Sequence, residues 1–136
     1  MKKLLIFICI LCSCLLVTGC FSNKQEEVKE EEVVVKAERI SYSKLNDIVN
    51  NYSDHVNVDV VDVRSVDEYE SGHITGSINI PYSDLDDIII STDREIIIYG
   101  KTAANSRQAA NDLIALGYTN VKYITGINNW PYDLED

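Results

Sequence analysis

The chain has 136 residues and a formal net charge of −10, enough for one small domain once a targeting segment is set aside. Residues 1–19 hold two lysines and no acid, which leaves −12 on the remainder. That balance argues against nucleic acid and anionic lipid headgroups as electrostatic partners, and an acidic surface that keeps a small domain soluble accounts for it. All four cysteines, Cys9, Cys12, Cys14 and Cys20, precede Phe21, so the rest of the chain has no disulfide framework, no Cys-based metal site and no thiol. His55 and His73 lack ligand-like spacing and read as loop residues. No metal or cofactor is expected.

Lys2-Lys3 followed by the apolar stretch Leu4–Val17 has the form of an export signal. Its length of 14 residues falls short of the roughly 20 that a membrane span needs. The stretch ends in Leu16-Val17-Thr18-Gly19-Cys20, which resembles the lipobox of bacterial lipoprotein signal peptides. The resemblance implies cleavage before Cys20 and acyl lipid on its sulfur. Two acyl chains suffice for stable anchoring. Residues 1–19 are therefore expected to be a signal peptide and residues 20–38 a lipidated cysteine with a charged stalk. A coil of 18 residues, 21–38, would span roughly 23 Å, from about 5–6 Å × √n. Val33-Val34-Val35 fits either a short helix or an edge strand.

The folded domain is expected over residues 39–136. Arg39–Tyr42 reads as a first short strand, and Ser43 as the cap of a helix to Asn50 with Leu45, Ile48 and Val49 inward. Val56–Val63 reads as a strand buried on both faces. Ser65–Ser71 is a short predicted helix with Val66 and Tyr69 inward, stopped by Gly72. Ile78–Ile80 is a third strand ended by Pro81, and Tyr82–Ile90 a further helix with Ser83 as its cap. Ile96–Tyr99 is a fourth strand. Asn105 then reads as an N-cap, with Gln108 completing a capping box and Ala109, Leu113 and Leu116 on one face before Gly117. Val121–Ile124 is a fifth strand, and Ile127–Trp130 a single helical turn. Strands and helices alternate, so the sheet should be mostly parallel, with about five strands and helices on both faces.

Between the fourth strand and its helix lies Gly100-Lys101-Thr102-Ala103-Ala104-Asn105. A loop leaving the carboxyl end of a parallel strand for a helix N-terminus is where α/β folds place chemistry. Gly100-Lys101-Thr102 mimics the end of a phosphate-binding P-loop, but Glu95 stands where its first glycine belongs.

The order of motifs resembles a single rhodanese domain. Asp62-Val63-Arg64-Ser65 with Glu68-Tyr69, then Gly72-His73-Ile74-Thr75-Gly76-Ser77, is similar to the early signature of that family. Thr125-Gly126-Ile127-Asn128-Asn129-Trp130-Pro131 resembles its closing turn, with Thr125 in place of a glycine. The resemblance implies a three-layer α/β fold. It also implies a catalytic cysteine directly after the fourth strand, held by loop N–H groups, which carries sulfur as a persulfide. Gly100 occupies that position. Where the family has Arg, Gly and Arg, this chain has Lys101, Ala103 and Asn105. Ala103 resists the positive φ that glycine allows.

The expectation is therefore a domain lipid-anchored at the bacterial cell envelope, on the extracytoplasmic side, that lacks sulfurtransferase activity. It would act as a binding or structural module for an unidentified protein. The alternatives are an active sulfurtransferase and a small-anion receptor using the loop with Lys101 and Arg107. Asp62 and Arg64 are expected to tie the second strand to neighbouring loops, and Trp130 to serve as a packing anchor. Gly72, His73 and Gly126 count as structural motif positions.

Overall fold

A computed structural model describes residues 35–136. The expected signal peptide, Cys20 and most of the expected stalk lie outside the described residues. Five strands run in the order β1 (Glu38–Arg39), β2 (Val58–Asp62), β3 (Ile78–Asn79), β4 (Glu95–Tyr99) and β5 (Val121–Tyr123) along the chain. In the sheet their order is β1-β5-β4-β2-β3, and every pairing is parallel. The central strand is β4, with Ile97 opposite Val60 of β2 and Lys122 of β5.

Alternation along β2 and β4 divides the interior in two. Val61, Ile96 and Ile98 face one side, where they pack with Ala109, Ala110 and Leu113 of α3 (Ala103–Ala115), and with Leu85 and Tyr118. Val58, Val60, Ile97 and Tyr99 face the other, against Leu45 and Ile48 of α1 (Tyr42–Asn50), and Ile74 and Ile127. A strand covered on both faces has no solvent side to satisfy, which is why Ile96-Ile97-Ile98-Tyr99 shows no polar alternation. Helix α2 (Val66–Glu70) buries no residue of its own. It is held by its capping box, Ser65 with Glu68, and by the Tyr69 hydroxyl, which donates to the Ser77 carbonyl at 2.6 Å.

Several local expectations are corrected. Ser41, not Ser43, caps α1: its side chain accepts from the Lys44 N–H at 3.1 Å, so the first strand is shorter and lies earlier, at Glu38–Arg39. Val66 is half exposed because it opens α2 on the solvent side of its cap. Tyr82–Asp87 is a 3-10 turn after Pro81 rather than an α-helix, and the Ser83 hydroxyl bonds the Asp84 carboxylate instead of capping. Ile127–Asn129 is likewise a 3-10 turn. Leu116 is exposed as the C-cap residue of α3, and the buried face is Ser106, Ala109, Ala110 and Leu113. Gly117 does stop α3. Its φ is +100°, and the N–H groups of Gly117 and Tyr118 reach the carbonyls of Ile114 and Leu113 in a Schellman pattern. Val35 is exposed outside any regular element.

Ile97 is fully buried at the centre of the sheet. Ile97→Ala is expected to cost about 2–5 kcal/mol, read as a fall in the urea midpoint.

Candidate functional site

The carboxyl ends of β2, β4 and β5 lie at the same edge of the sheet because the strands are parallel. Gly100 follows β4 there. Helix α3 starts at Ala103, so only Gly100, Lys101 and the N-cap Thr102 separate strand from helix. This corrects the cap expected at Asn105. Ala103 and Ala104 are strong helix formers and extend the helix backward, and Thr102 Oγ1 accepts the Asn105 N–H at 3.4 Å. Asn105 Oδ1 accepts from the Thr102 hydroxyl at 2.7 Å. Gln108 forms no capping box. Its amide donates instead to the Tyr82 hydroxyl at 2.9 Å.

Two residues lock this short loop. Ser106, fully buried, accepts the Gly100 N–H at 2.9 Å and donates to the Thr102 carbonyl at 3.0 Å. Gly126, at φ +97°, passes directly beneath: a Cβ there would lie 2.6 Å from the Thr102 Cα and 2.7 Å from the Lys101 carbonyl oxygen. The chain after Gly126 then bonds the loop, Ile127 N–H to Gly100 O at 2.9 Å and Asn128 N–H to Lys101 O at 3.3 Å. The N–H groups of Lys101, Thr102, Ala103 and Ala104 make no hydrogen bond among the described residues.

The space above Gly100 is tight. A Cβ at this position would meet the Asn105 Cβ at 2.9 Å and the Val63 Cγ2 at 3.3 Å. Beside it opens a cleft of about 350 Å³, walled by Arg64, Glu68, Tyr82, Lys101, Asn105 and Gln108. Its two cations are both engaged. Arg64 grips the fully buried Asp62 carboxylate with Nε and Nη2, at 2.9 and 2.5 Å from Oδ2. Arg64 Nη2 also donates to the Gly72 carbonyl at 2.8 Å, which ties β2 to the loop after α2. Lys101 Nζ meets Glu68 Oε1 at 3.0 Å. That hydrogen bond, with help from Ser65, holds the Glu68 carboxyl below its usual range. Because the folded state favours the charged form, the contribution is present at neutral pH and is lost as pH falls through the carboxylate range. Arg107 is exposed, does not wall the cleft and makes no ion pair among the described residues.

The other motif positions are structural neighbours rather than cleft walls. Gly72 is buried at φ +140° beneath Leu134. His73 stacks on Tyr69 at 3.9 Å between centroids, and its backbone exchanges two 2.8 Å hydrogen bonds with Glu135. Trp130 packs edge-to-face against Tyr42 and Tyr132. Burial and the Asp62 charge push the Tyr99 phenol well above its usual pKa, so it stays neutral as it bonds Ser77 and the Ile74 N–H beneath the site. Sequence reasoning missed Ser106, Tyr82 and the Lys101–Glu68 pair. Only Glu68 had a signal, the Ser-x-x-Glu pattern of a capping box.

A family model described as the rhodanese-like domain matches residues 45–131, well over half of the chain. The chain belongs to the rhodanese-like family. It is 36% identical over 69 residues to the uncharacterized protein YqhL of Bacillus subtilis, covering 49% of this chain and 55% of that protein. It is 46% identical over 48 residues to the HTH-type transcriptional regulator Rv0324 of Mycobacterium tuberculosis, covering 34% of this chain and 21% of the regulator. The matches thus span only about half and about a fifth of those proteins. The crystal structure of a rhodanese-related protein from Thermoplasma volcanium superposes with a TM-score of 0.61 at 27% identity, over 72% of this chain and 97% of that one.

Gly126 and Gly76 both have positive φ, but only Gly126 meets backbone; Gly76 has nothing within 4 Å. Gly76→Ala is expected to cost about 1 kcal/mol and Gly126→Ala about 3 kcal/mol or more, compared by urea unfolding.

Proposed function

We propose that this chain is a rhodanese-like domain without sulfurtransferase chemistry, lipid-anchored through Cys20 to the extracytoplasmic face of a bacterial membrane. There it acts as a binding module through the cleft beside Gly100. The single observation behind this is Gly100 itself. It stands directly after β4, at the position of the family nucleophile, and residues 21–136 contain no cysteine. Persulfide chemistry needs a thiolate at that point.

The crowding around Gly100 agrees with this reading: Asn105 and Ser106 pack against the space that a side chain at this position would enter. The anion-receptor alternative is less well supported, since Arg64 and Lys101 already hold carboxylate partners in the cleft. A binding role suits a mixed-charge cleft whose walls can exchange those partners for groups on another molecule. The partial match to a transcriptional regulator, of which the matched segment is 21%, fits use of this domain as an accessory module.

Thiosulfate and cyanide incubated with the mature domain are expected to give thiocyanate at the level of a protein-free blank. Turnover by the unmodified domain would sink the reading. Gly100→Cys alone should carry no persulfide sulfur by mass spectrometry, because its Cβ meets Asn105 at 2.9 Å. Adding Asn105→Gly should relieve that contact and permit partial loading, with the helix N-terminus favouring the thiolate.

The anchor has its own test. Cys20→Ala is expected to move the protein from the membrane fraction to the soluble fraction after export. Among the described residues no helix is long and apolar enough to cross a membrane. Wild-type protein found wholly in the soluble fraction would count against lipidation.

A further inference from the structure

A second cleft, of about 400 Å³, lies apart from the Gly100 loop, between α1, the turn after α2 and the C-terminal segment. Its size falls in the range of small-molecule sites, roughly 300–1,000 Å³. Its apolar floor is Val49, Ile74 and Trp130, and around it stand Asn46, Thr75 and Asp133. The side chains of Asn46, Thr75 and Asp133 make no hydrogen bond among the described residues, although Asn46 and Asp133 both lend backbone carbonyls to neighbours. No Lys, Arg or His walls the cleft.

We propose that this cleft binds a neutral saccharide. A pyranose ring has a weakly apolar C–H face and a rim of hydroxyls that both donate and accept. An indole presents the matching flat, electron-rich surface. Asn46 supplies a donor and an acceptor side by side, Thr75 a hydroxyl, and Asp133 two acceptor oxygens. Together they suit adjacent hydroxyls around a stacked ring. The Asp133 charge, with no cation beside it, selects against acidic sugars.

A cation cage is the competing use of Trp130, Tyr132 and Asp133, and the ring geometry disfavours it. Trp130 and Tyr132 touch edge-to-face with centroids 5.1 Å apart, which leaves no room for an ammonium group between them. Both rings line the cleft. Trp130 thus does more than the packing expected of it. It anchors on Tyr42 at 5.6 Å and still presents a partly exposed surface to the cleft. The His73–Glu135 backbone bridge fastens the C-terminal segment beside Ile74 and Thr75. The inference does not depend on catalytic inactivity or on anchoring.

The sequence contains one tryptophan beside eight tyrosines, so fluorescence excited selectively at the indole, beyond tyrosine absorption, reports on Trp130 in this cleft. The full chain, solubilised in detergent, is titrated into the millimolar range with N-acetylglucosamine and its oligomers, maltotriose and cellobiose. Glucuronate and choline chloride serve as comparison ligands. A saturable Trp130 signal with at least one neutral saccharide is expected. Asn46→Ala combined with Asp133→Ala should weaken it by about tenfold or more, the loss of a few hydrogen bonds. Thr75→Ala, at an exposed turn, gives a second variant with the same expected direction should the double variant misfold. Lys101→Ala, in the other cleft, should leave the titration unchanged. Three outcomes would overturn the proposal: no saturable signal with any neutral saccharide, a response confined to choline or glucuronate, or undiminished affinity in the cleft variants.

Discussion

The approach of Gly126 to the backbone of Lys101 and Thr102 is the constraint on which the candidate site depends. It brings the turn after β5 under the loop after β4 more closely than any side chain would allow. The hydrogen bonds from Ile127 and Asn128 into that loop follow from the approach. So does the position of the first turn of α3, because Thr102 is at once the residue resting on Gly126 and the cap of that helix. Ser106 closes the arrangement from above, with its hydroxyl spanning Gly100 and Thr102. The loop is therefore fixed at both ends and from both sides, which is the preorganisation expected of a site even where no nucleophile is present.

Charge in the cleft follows a consistent pattern. Each cation near Gly100 has a carboxylate of its own, and the buried pair does structural work as well. Asp62 is fully enclosed, and its cost of desolvation is offset by the planar fork of Arg64, whose Nη2 also donates to the Gly72 carbonyl. The exposed Lys101–Glu68 pair is weaker, screened by solvent, and open to exchange. The cleft thus combines one enclosed ion pair with one exposed to solvent.

Much of the fold was legible in the residues. The apolar run Ile96–Tyr99 of β4, the valines of β2, the glycine after α3 and the strand–helix alternation led to a parallel sheet with two buried faces, and the structure has that sheet. Helix starts were less legible, for a physical reason. Ser41 and Ser43, or Thr102 and Asn105, are all competent caps within two or three residues of each other. The choice between them is made by tertiary contacts such as Gly126 under Thr102. The 3-10 turn at Tyr82–Asp87 was hidden because its sequence carries only one buried residue, Leu85, and too little periodicity to separate it from an α-helix. At the site, Gly100 was visible directly, whereas Ser106 folds back on the loop before its own helix and Tyr82 bonds across the fold to Gln108 and Asp112, and no local pattern announces either.

Both margins of the sheet are strands of two residues, β1 at Glu38–Arg39 and β3 at Ile78–Asn79. The first is a pair of opposite, exposed charges, and the second runs within two residues into Pro81, which has no N–H to offer. Such margins give a neighbouring chain almost no ladder on which to add a strand. A fully parallel, Ile-rich sheet with long open edges would invite edge-to-edge association. Truncated margins let this sheet keep an aliphatic centre without becoming a template for self-association.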